Sequence, residues 1–178
     1  MQFKVIDDII SEKYSRYIFE SIADIKWTFL PDVTYGEAKN GINKPGFIFN
    51  YYVENQTNQQ EYNIIKPLLL ESFDQFNLNC SLDSVYRCRA RLTIDRPEMS
   101  KEYLVDAPHV DYTFPHLVLL YYVNNTDGDT LFYHNGEIIN KVSPKRGRCV
   151  LFDGSIIHAA TTPTLSPRVV INTNIKMN

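Results

Sequence analysis

All four histidines of the 178-residue chain, His109, His116, His134 and His158, fall in its second half. The segment Ala107-Pro108-His109-Val110-Asp111 sets an imidazole and a carboxylate one residue apart on an extended stretch, where alternate side chains share a face. His158 follows downstream, after a strand pattern and a turn, and Arg168 opens the last strand pattern. Two imidazoles and one carboxylate on one face of an octahedral metal leave three positions open, the facial triad of non-haem Fe(II) chemistry. An arginine deeper in the same fold can hold a carboxylate through two parallel, charge-assisted hydrogen bonds. Open metal positions beside such an anchor suit a small chelating dicarboxylate.

Each of these residues also has a plainer reading. His116 and His134 read as ordinary surface or core histidines. His109, Asp111 and His158 could form a salt-bridged polar cluster at a sheet edge, and Arg168 could be a surface strand charge. The ordered strand context, with Arg168 following the histidines, favours the metal site. Arg87, Arg89 and Arg91 alternate with Cys88, Ala90 and Leu92 and read as a solvated strand face; alternatively, one of them reaches into a substrate mouth and favours an acidic or phosphorylated substrate.

The elements that must position these groups change character near residue 85. Before it, Ser11 is a fitting N-cap with Glu12 in the first turn, and Tyr14, Tyr17, Ile18 and Ile22 repeat at helical spacing to about Asp24. A second helix is expected over 67–77, with Pro67 near its start and Leu69, Leu70, Phe73 and Phe76 facing inward. Residues 47–53 read as a strand. After residue 85 the period is two, with strands expected over 86–94, 117–123, 130–133, 136–142, 148–152 and 168–175, and turns between them rich in Asn, Gly and Pro. The fold expected is α+β: a double-stranded β-helix (jelly roll) core with N-terminal helices packed on one sheet. Residues 1–178 form one domain, with 1–85 a helical lead-in with supporting strands and 86–178 the jelly-roll core.

Composition narrows the partners. With 44% hydrophobic residues, twelve Tyr and ten Phe, there is apolar material for a full core, and aromatics of this abundance suit strands. Lys and Arg total 18 against 21 acidic residues, a net charge of −3, which disfavours a broad nucleic-acid surface. No apolar run approaches the ~20 residues of a membrane span, and no secretory leader is expected from Met1-Gln2-Phe3-Lys4. Cys80, Cys88 and Cys149, odd in number and without a CxxC pair, read as reduced thiols of a cytoplasmic protein.

The stretch from Arg87 to Ile175 resembles the 2-oxoglutarate- and Fe(II)-dependent dioxygenases of the prolyl 4-hydroxylase type. The resemblance is carried by His109-Val110-Asp111, Leu119-Leu120-Tyr121-Tyr122-Val123-Asn124, Gly128-Asp129-Thr130-Leu131-Phe132, Gly147-Arg148-Cys149-Val150-Leu151-Phe152, His158 and Arg168-Val169-Val170-Ile171-Asn172, in that order. The opening Val5-Ile6-Asp7-Asp8-Ile9-Ile10-Ser11 is similar to the lead-in of many such domains. Small oxygenase-like proteins of phages and marine bacteria, which share the Arg-x-Arg strand, look most similar.

The resemblance implies that His109, Asp111 and His158 hold Fe(II) and form the catalytic centre. It implies that 2-oxoglutarate chelates the metal and pairs its distal carboxylate with Arg168, with Tyr122 bonding the same carboxylate and Thr130 and Asn172 as further pocket residues. O2 is then the oxidant, and a protein side chain or small molecule is hydroxylated with release of succinate and CO2. Two departures fall around the mouth: Arg91-Leu92-Thr93-Ile94-Asp95 stands where the family has an aromatic and a glycine, and Gly128-Asp129 where it has paired glycines. The substrate of prolyl hydroxylases is therefore not carried over, and residues 31–46 and 95–106 are the expected mouth loops. A differently reacting metal-binding jelly roll, or a non-catalytic one, is the competing class; the sequence leaves the oligomeric state open.

Overall fold

A computed structural model describes residues 3–32, 45–96, 98 and 105–177. Most of both expected mouth loops, 31–46 and 95–106, lies outside these residues. In chain order the elements are β1 (Phe3–Ile6), α1 (Glu12–Ser21), β2 (Thr28–Leu30), β3 (Gly46–Val53), β4 (Gln56–Thr57), α2 (Gln59–Gln75), a 3-10 turn (Leu82–Ser84), β5 (Val85–Thr93), β6 (His116–Tyr122), β7 (Thr130–His134), β8 (Glu137–Val142), β9 (Cys149–Asp153), β10 (Ile157–Ala160) and β11 (Arg168–Lys176).

The strands form two antiparallel sheets, a jelly-roll-like arrangement. The larger runs β1-β9-β6-β11-β5-β3-β2, with β4 paired to β3, and the smaller runs β10-β7-β8. Strand β6 shows why the sheets stack. Its Leu119 and Tyr121 belong to one buried cluster with Ile18, Ile65 and Leu68 of the helices. Its Val118, Leu120 and Tyr122 belong to a second cluster with Phe132, Val150, Phe152 and Val170. The larger sheet is thus covered by helices on one face and by the smaller sheet on the other, and β6, buried on both sides, reads as a continuous apolar run instead of an alternation.

Ser11 caps α1 by accepting from the Tyr14 amide at 3.3 Å, as its position before Glu12 predicts. The Tyr14 hydroxyl donates to the Ile64 carbonyl of α2 at 2.6 Å, and the Tyr121 hydroxyl donates to Ser15 Oγ at 2.9 Å, so the helices are pinned to each other and to the sheet. Tyr17, expected on the apolar face, is 49% exposed. The second helix starts a full two turns earlier than expected, and Pro67 lies inside it. Pro67 removes one backbone bond and crowds the preceding turn. Burial of Tyr62 and Ile65 ahead of it, in register with Leu68, Leu69 and Phe73, offsets that cost. The extended helix turns Leu70 outward, 51% exposed, contrary to its expected inward face.

Four short strands carried no usable period in the sequence: β1, β2, β4 and β10. Strand β10 matters most, because it carries His158. Cys88 and Cys149 are buried free thiols, pushed up to about 12 by burial, which makes them poor nucleophiles. Among the described residues no helix is long and apolar enough to cross a membrane.

Candidate metal centre

His109 and His158 are brought together by the backbone. They face each other as an isolated antiparallel bridge, exchanging N–H···O bonds of 3.0 and 2.9 Å. Directly opposed residues in such a pair place their side chains on the same side, and the two rings lie 4.8 Å apart between centroids. A further bridge, Val105 to Thr161, holds the incoming segment along β10. Asp111 follows one alternation later on the same face. His109, Asp111 and His158 each offer a ligand atom, all within 4.8 Å of one another.

The state of each group fits metal coordination. His109 Nδ1 lies 2.9 Å from the Ala107 carbonyl and His158 Nδ1 lies 3.1 Å from the Ile156 carbonyl. A carbonyl only accepts, so both rings carry their proton on Nδ1 and present the lone pair of Nε2. Burial pushes the His158 imidazole down to about 4, with Asp111 opposing it. His158 is therefore neutral at pH 7. Asp111 Oδ2 accepts from Asn172 Nδ2 at 3.0 Å and Asn174 Nδ2 at 2.7 Å, and forms an ion pair with Arg87 Nη2 at 3.2 Å. Burial works against its ionisation, yet the charge of Arg87, the two amide bonds and, once it protonates at low pH, His158 hold its carboxyl well below the usual carboxylate range. The outer oxygen is saturated while Oδ1 faces His109 Nε2 at 3.9 Å. Such outer donors fix a ligand's orientation.

The triad opens onto a cavity of about 130 Å³ between the sheets, also lined by Arg87, Arg89, Arg91, Thr130, Arg168 and Asn172. At ~30 Å³ per water, that is the space of about four waters, enough for one small organic acid. The solvated face expected for Arg87, Arg89 and Arg91 is instead an inner one. Arg87 is buried against Asp111 with the Tyr112 ring 4.9 Å from its guanidinium, Arg89 Nε donates to Asn50 Oδ1 at 2.6 Å, and Arg91 Nη2 donates to Asp106 Oδ2 at 2.9 Å. Cys88 and Ala90 face the helices, and because the smaller sheet covers the other side, both faces of β5 are covered.

Arg168 closes the far end of the cavity. It is 3% exposed, donates from Nη2 to Thr130 Oγ1 at 2.8 Å, and lies 5.5 Å from the centroid of the Tyr122 ring. Tyr122 in turn donates to Thr130 Oγ1 at 2.7 Å. The Arg168 Nε is buried with no hydrogen-bond partner among the described residues, and no carboxylate among them forms an ion pair with the guanidinium. Gly128 makes this placement possible: a Cβ there would fall 2.7 Å from Arg168 Cδ and 3.0 Å from the Thr161 carbonyl oxygen.

The structure thus brings His109, Asp111 and His158 together at one end, and Arg168, Thr130 and Tyr122 at the other. Asn172 supports Asp111 with its amide. His134 lies on an exposed strand end, and His116 is buried among Tyr112, Phe114 and Gly154. Sequence reasoning missed Arg87, Asn174 and the Arg91–Asp106 pair. Asn174 carried a signal, being one alternation beyond Asn172 on the same strand. A wider cleft of about 850 Å³ between α1, α2 and the Lys145–Gly147 turn is remote from these groups.

No protein-family model matches the chain, and no curated protein sequence matches it. Solved structures do match across nearly its whole length. An oxidoreductase of the 2OG-Fe(II) oxygenase family from Burkholderia pseudomallei superposes with a TM-score of 0.75 at 13% identity, covering 99% of this chain and 86% of that one. A viral collagen prolyl hydroxylase from Paramecium bursaria Chlorella virus-1, solved as a 2OG complex, gives 0.63 at 12% identity, over 98% and 96%. A prolyl hydroxylase from Trichoplax adhaerens, in complex with a hypoxia-inducible-factor peptide fragment, gives 0.63 at 14% identity, over 97% and 82%. The fold is that of the 2OG-Fe(II) oxygenase structures. At this identity the fold is what is shared.

Proposed function

We propose that the chain is a non-haem Fe(II)- and 2-oxoglutarate-dependent dioxygenase, residues 1–178 acting as one domain built on a double-stranded β-helix. His109, Asp111 and His158 hold Fe(II) through two neutral imidazoles and one carboxylate oxygen. Arg168 takes the distal carboxylate of 2-oxoglutarate, with Thr130 and Tyr122 fixing the guanidinium, and Asn172 keeps Asp111 in orientation. Bound iron and 2-oxoglutarate supply the oxidation: one atom of O2 enters a C–H bond of a protein side chain or small molecule, the other enters succinate, and CO2 is released.

The observation that carries this reading is the buried guanidinium of Arg168, without a carboxylate partner among the described residues, at the end of the same small cavity as the His/Asp/His cluster. A buried cation is retained at a cost of several kcal/mol, and an anionic ligand compensates it. The solved neighbours, one of them holding 2OG, support the choice of dicarboxylate. Titrating 2-oxoglutarate into the Mn(II)-loaded protein by calorimetry tests it: micromolar binding that depends on the metal is expected, and an absence of binding with the metal in place overturns it.

A further inference from the structure

The inner face of β5 bears on how the small cavity reads its ligand. On the ladder between β5 and β11, Arg91 pairs with Val170, between the level of Arg168 and that of Asn172, whose amide holds Asp111. Arg91 therefore flanks the stretch of cavity that separates the metal ligands from Arg168. Its side chain is 16% exposed and forms an ion pair with the deeply buried Asp106. Its Nε, like that of Arg168, is buried with no hydrogen-bond partner among the described residues. Arg91 and Arg168 both line the cavity, whose volume of about 130 Å³ admits one small acid.

We propose that Arg91 is a second carboxylate-binding residue of this cavity, taking the carboxylate next to the keto group while Arg168 takes the distal one. The cavity then carries a cation for each end of a 2-oxo diacid, and Asp106 holds the Arg91 guanidinium against the wall as its positioning partner. This rests on the 2-oxoglutarate reading above and goes beyond it in assigning a residue to the chelating end of the molecule.

The test uses the Mn(II)-loaded protein, with affinity read by calorimetry for 2-oxoglutarate and for 2-oxovalerate, which keeps the keto acid end and lacks the distal carboxylate. The double variant R91Q/D106N replaces the buried ion pair with a neutral hydrogen-bonded pair, so that no charge is left uncompensated. It is expected to weaken both ligands by the same factor, about 10- to 100-fold, as removal of a charge-assisted contact does, with Mn(II) affinity unchanged. R168M is expected to weaken 2-oxoglutarate alone. R91K, which keeps the charge and loses the planar fork, is expected to fall between wild type and the double variant for both ligands. Wild-type affinity of R91Q/D106N for both ligands, or a loss confined to 2-oxoglutarate, overturns the assignment of Arg91. Failure of the wild-type protein to bind either keto acid overturns the dioxygenase reading itself, and with it this assignment.

Discussion

Replacing Arg168 by methionine separates a ligand anchor from a structural ion pair, because the two roles predict opposite changes in the ligand-free protein. Moving a guanidinium into the interior costs several kcal/mol even after relaxation. In return, Arg168 has one hydrogen bond to a neutral hydroxyl and the face of Tyr122 at 5.5 Å, together about 1–3 kcal/mol. Met keeps the length, packs against Gly128 as the arginine stem does, and leaves Thr130 bonded to Tyr122. Ligand-free Arg168→Met is therefore expected to be as stable as wild type or more stable by about 1–3 kcal/mol, each kcal/mol being worth about 2–4 °C in Tm at this chain length.

The loaded protein moves the other way. Losing the ion pair to a carboxylate costs about 3 kcal/mol or more, roughly a hundredfold in 2-oxoglutarate affinity. At a concentration near 100 times the wild-type Kd, the ligand adds about 2.7 kcal/mol to wild type and about 0.4 to the variant. Thermal unfolding with Mn(II), with and without 2-oxoglutarate, reads both quantities. A ligand-free Tm that falls by more than about 5 °C, or a 2-oxoglutarate gain equal to wild type, would refute this view of Arg168.

Arg87→Met is expected to act with the opposite sign, destabilising the ligand-free protein by about 3–5 kcal/mol in denaturant titrations, because it leaves buried Asp111 without its cation. Gly128→Ala forces a Cβ against the Arg168 stem and the fixed Thr161 carbonyl; it is expected to cost about 1–3 kcal/mol by overpacking and to weaken 2-oxoglutarate with metal affinity intact, both measured on the same preparation. Asn174→Ala removes the shortest donor to Asp111 Oδ2 and is expected to lower Mn(II) affinity by about 10- to 100-fold in a metal titration. Burial holds the folded His158 imidazole at about 4, below its ordinary value of about 6.5, so the unfolded chain binds the extra proton between these values. Its contribution is complete above pH 6.5 and is lost as pH falls towards 4, up to roughly 3 kcal/mol. The chemical-denaturation midpoint of the metal-free protein is expected to drop between pH 7 and pH 5, and the drop to shrink in His158→Gln.

Much of the site was legible because it is written in alternation. His109 and Asp111 share a face by being one residue apart, and Arg168 and Asn172 share one on the last strand. What the sequence hid was which face of a two-sided strand points inward. On β5 the arginines alternate with Cys88 and Ala90, and charge suggested solvent; the smaller sheet covers that side, so the arginines line the cavity and the small residues pack under the helices. His158 was legible but the strand carrying it was not: β10 is a four-residue element with too little period to detect, and only its pairing with β7 and the bridge to His109 define it. Pro67 misled in the other direction, since tertiary burial of Tyr62 and Ile65 outweighs a local breaker. The Arg87–Asp111 and Arg91–Asp106 pairs join distant segments, and spacing carries no sign of them.

The most direct measurement adds Fe(II) and then 2-oxoglutarate to the purified protein without oxygen and follows the visible metal-to-ligand charge-transfer absorption. A band that appears only with both components, is absent in His158→Ala, and requires about a hundredfold more 2-oxoglutarate in Arg168→Met is the result expected of a triad and anchor sharing one cavity. Folded protein that takes up no iron, or that binds iron and 2-oxoglutarate without the band, contradicts it.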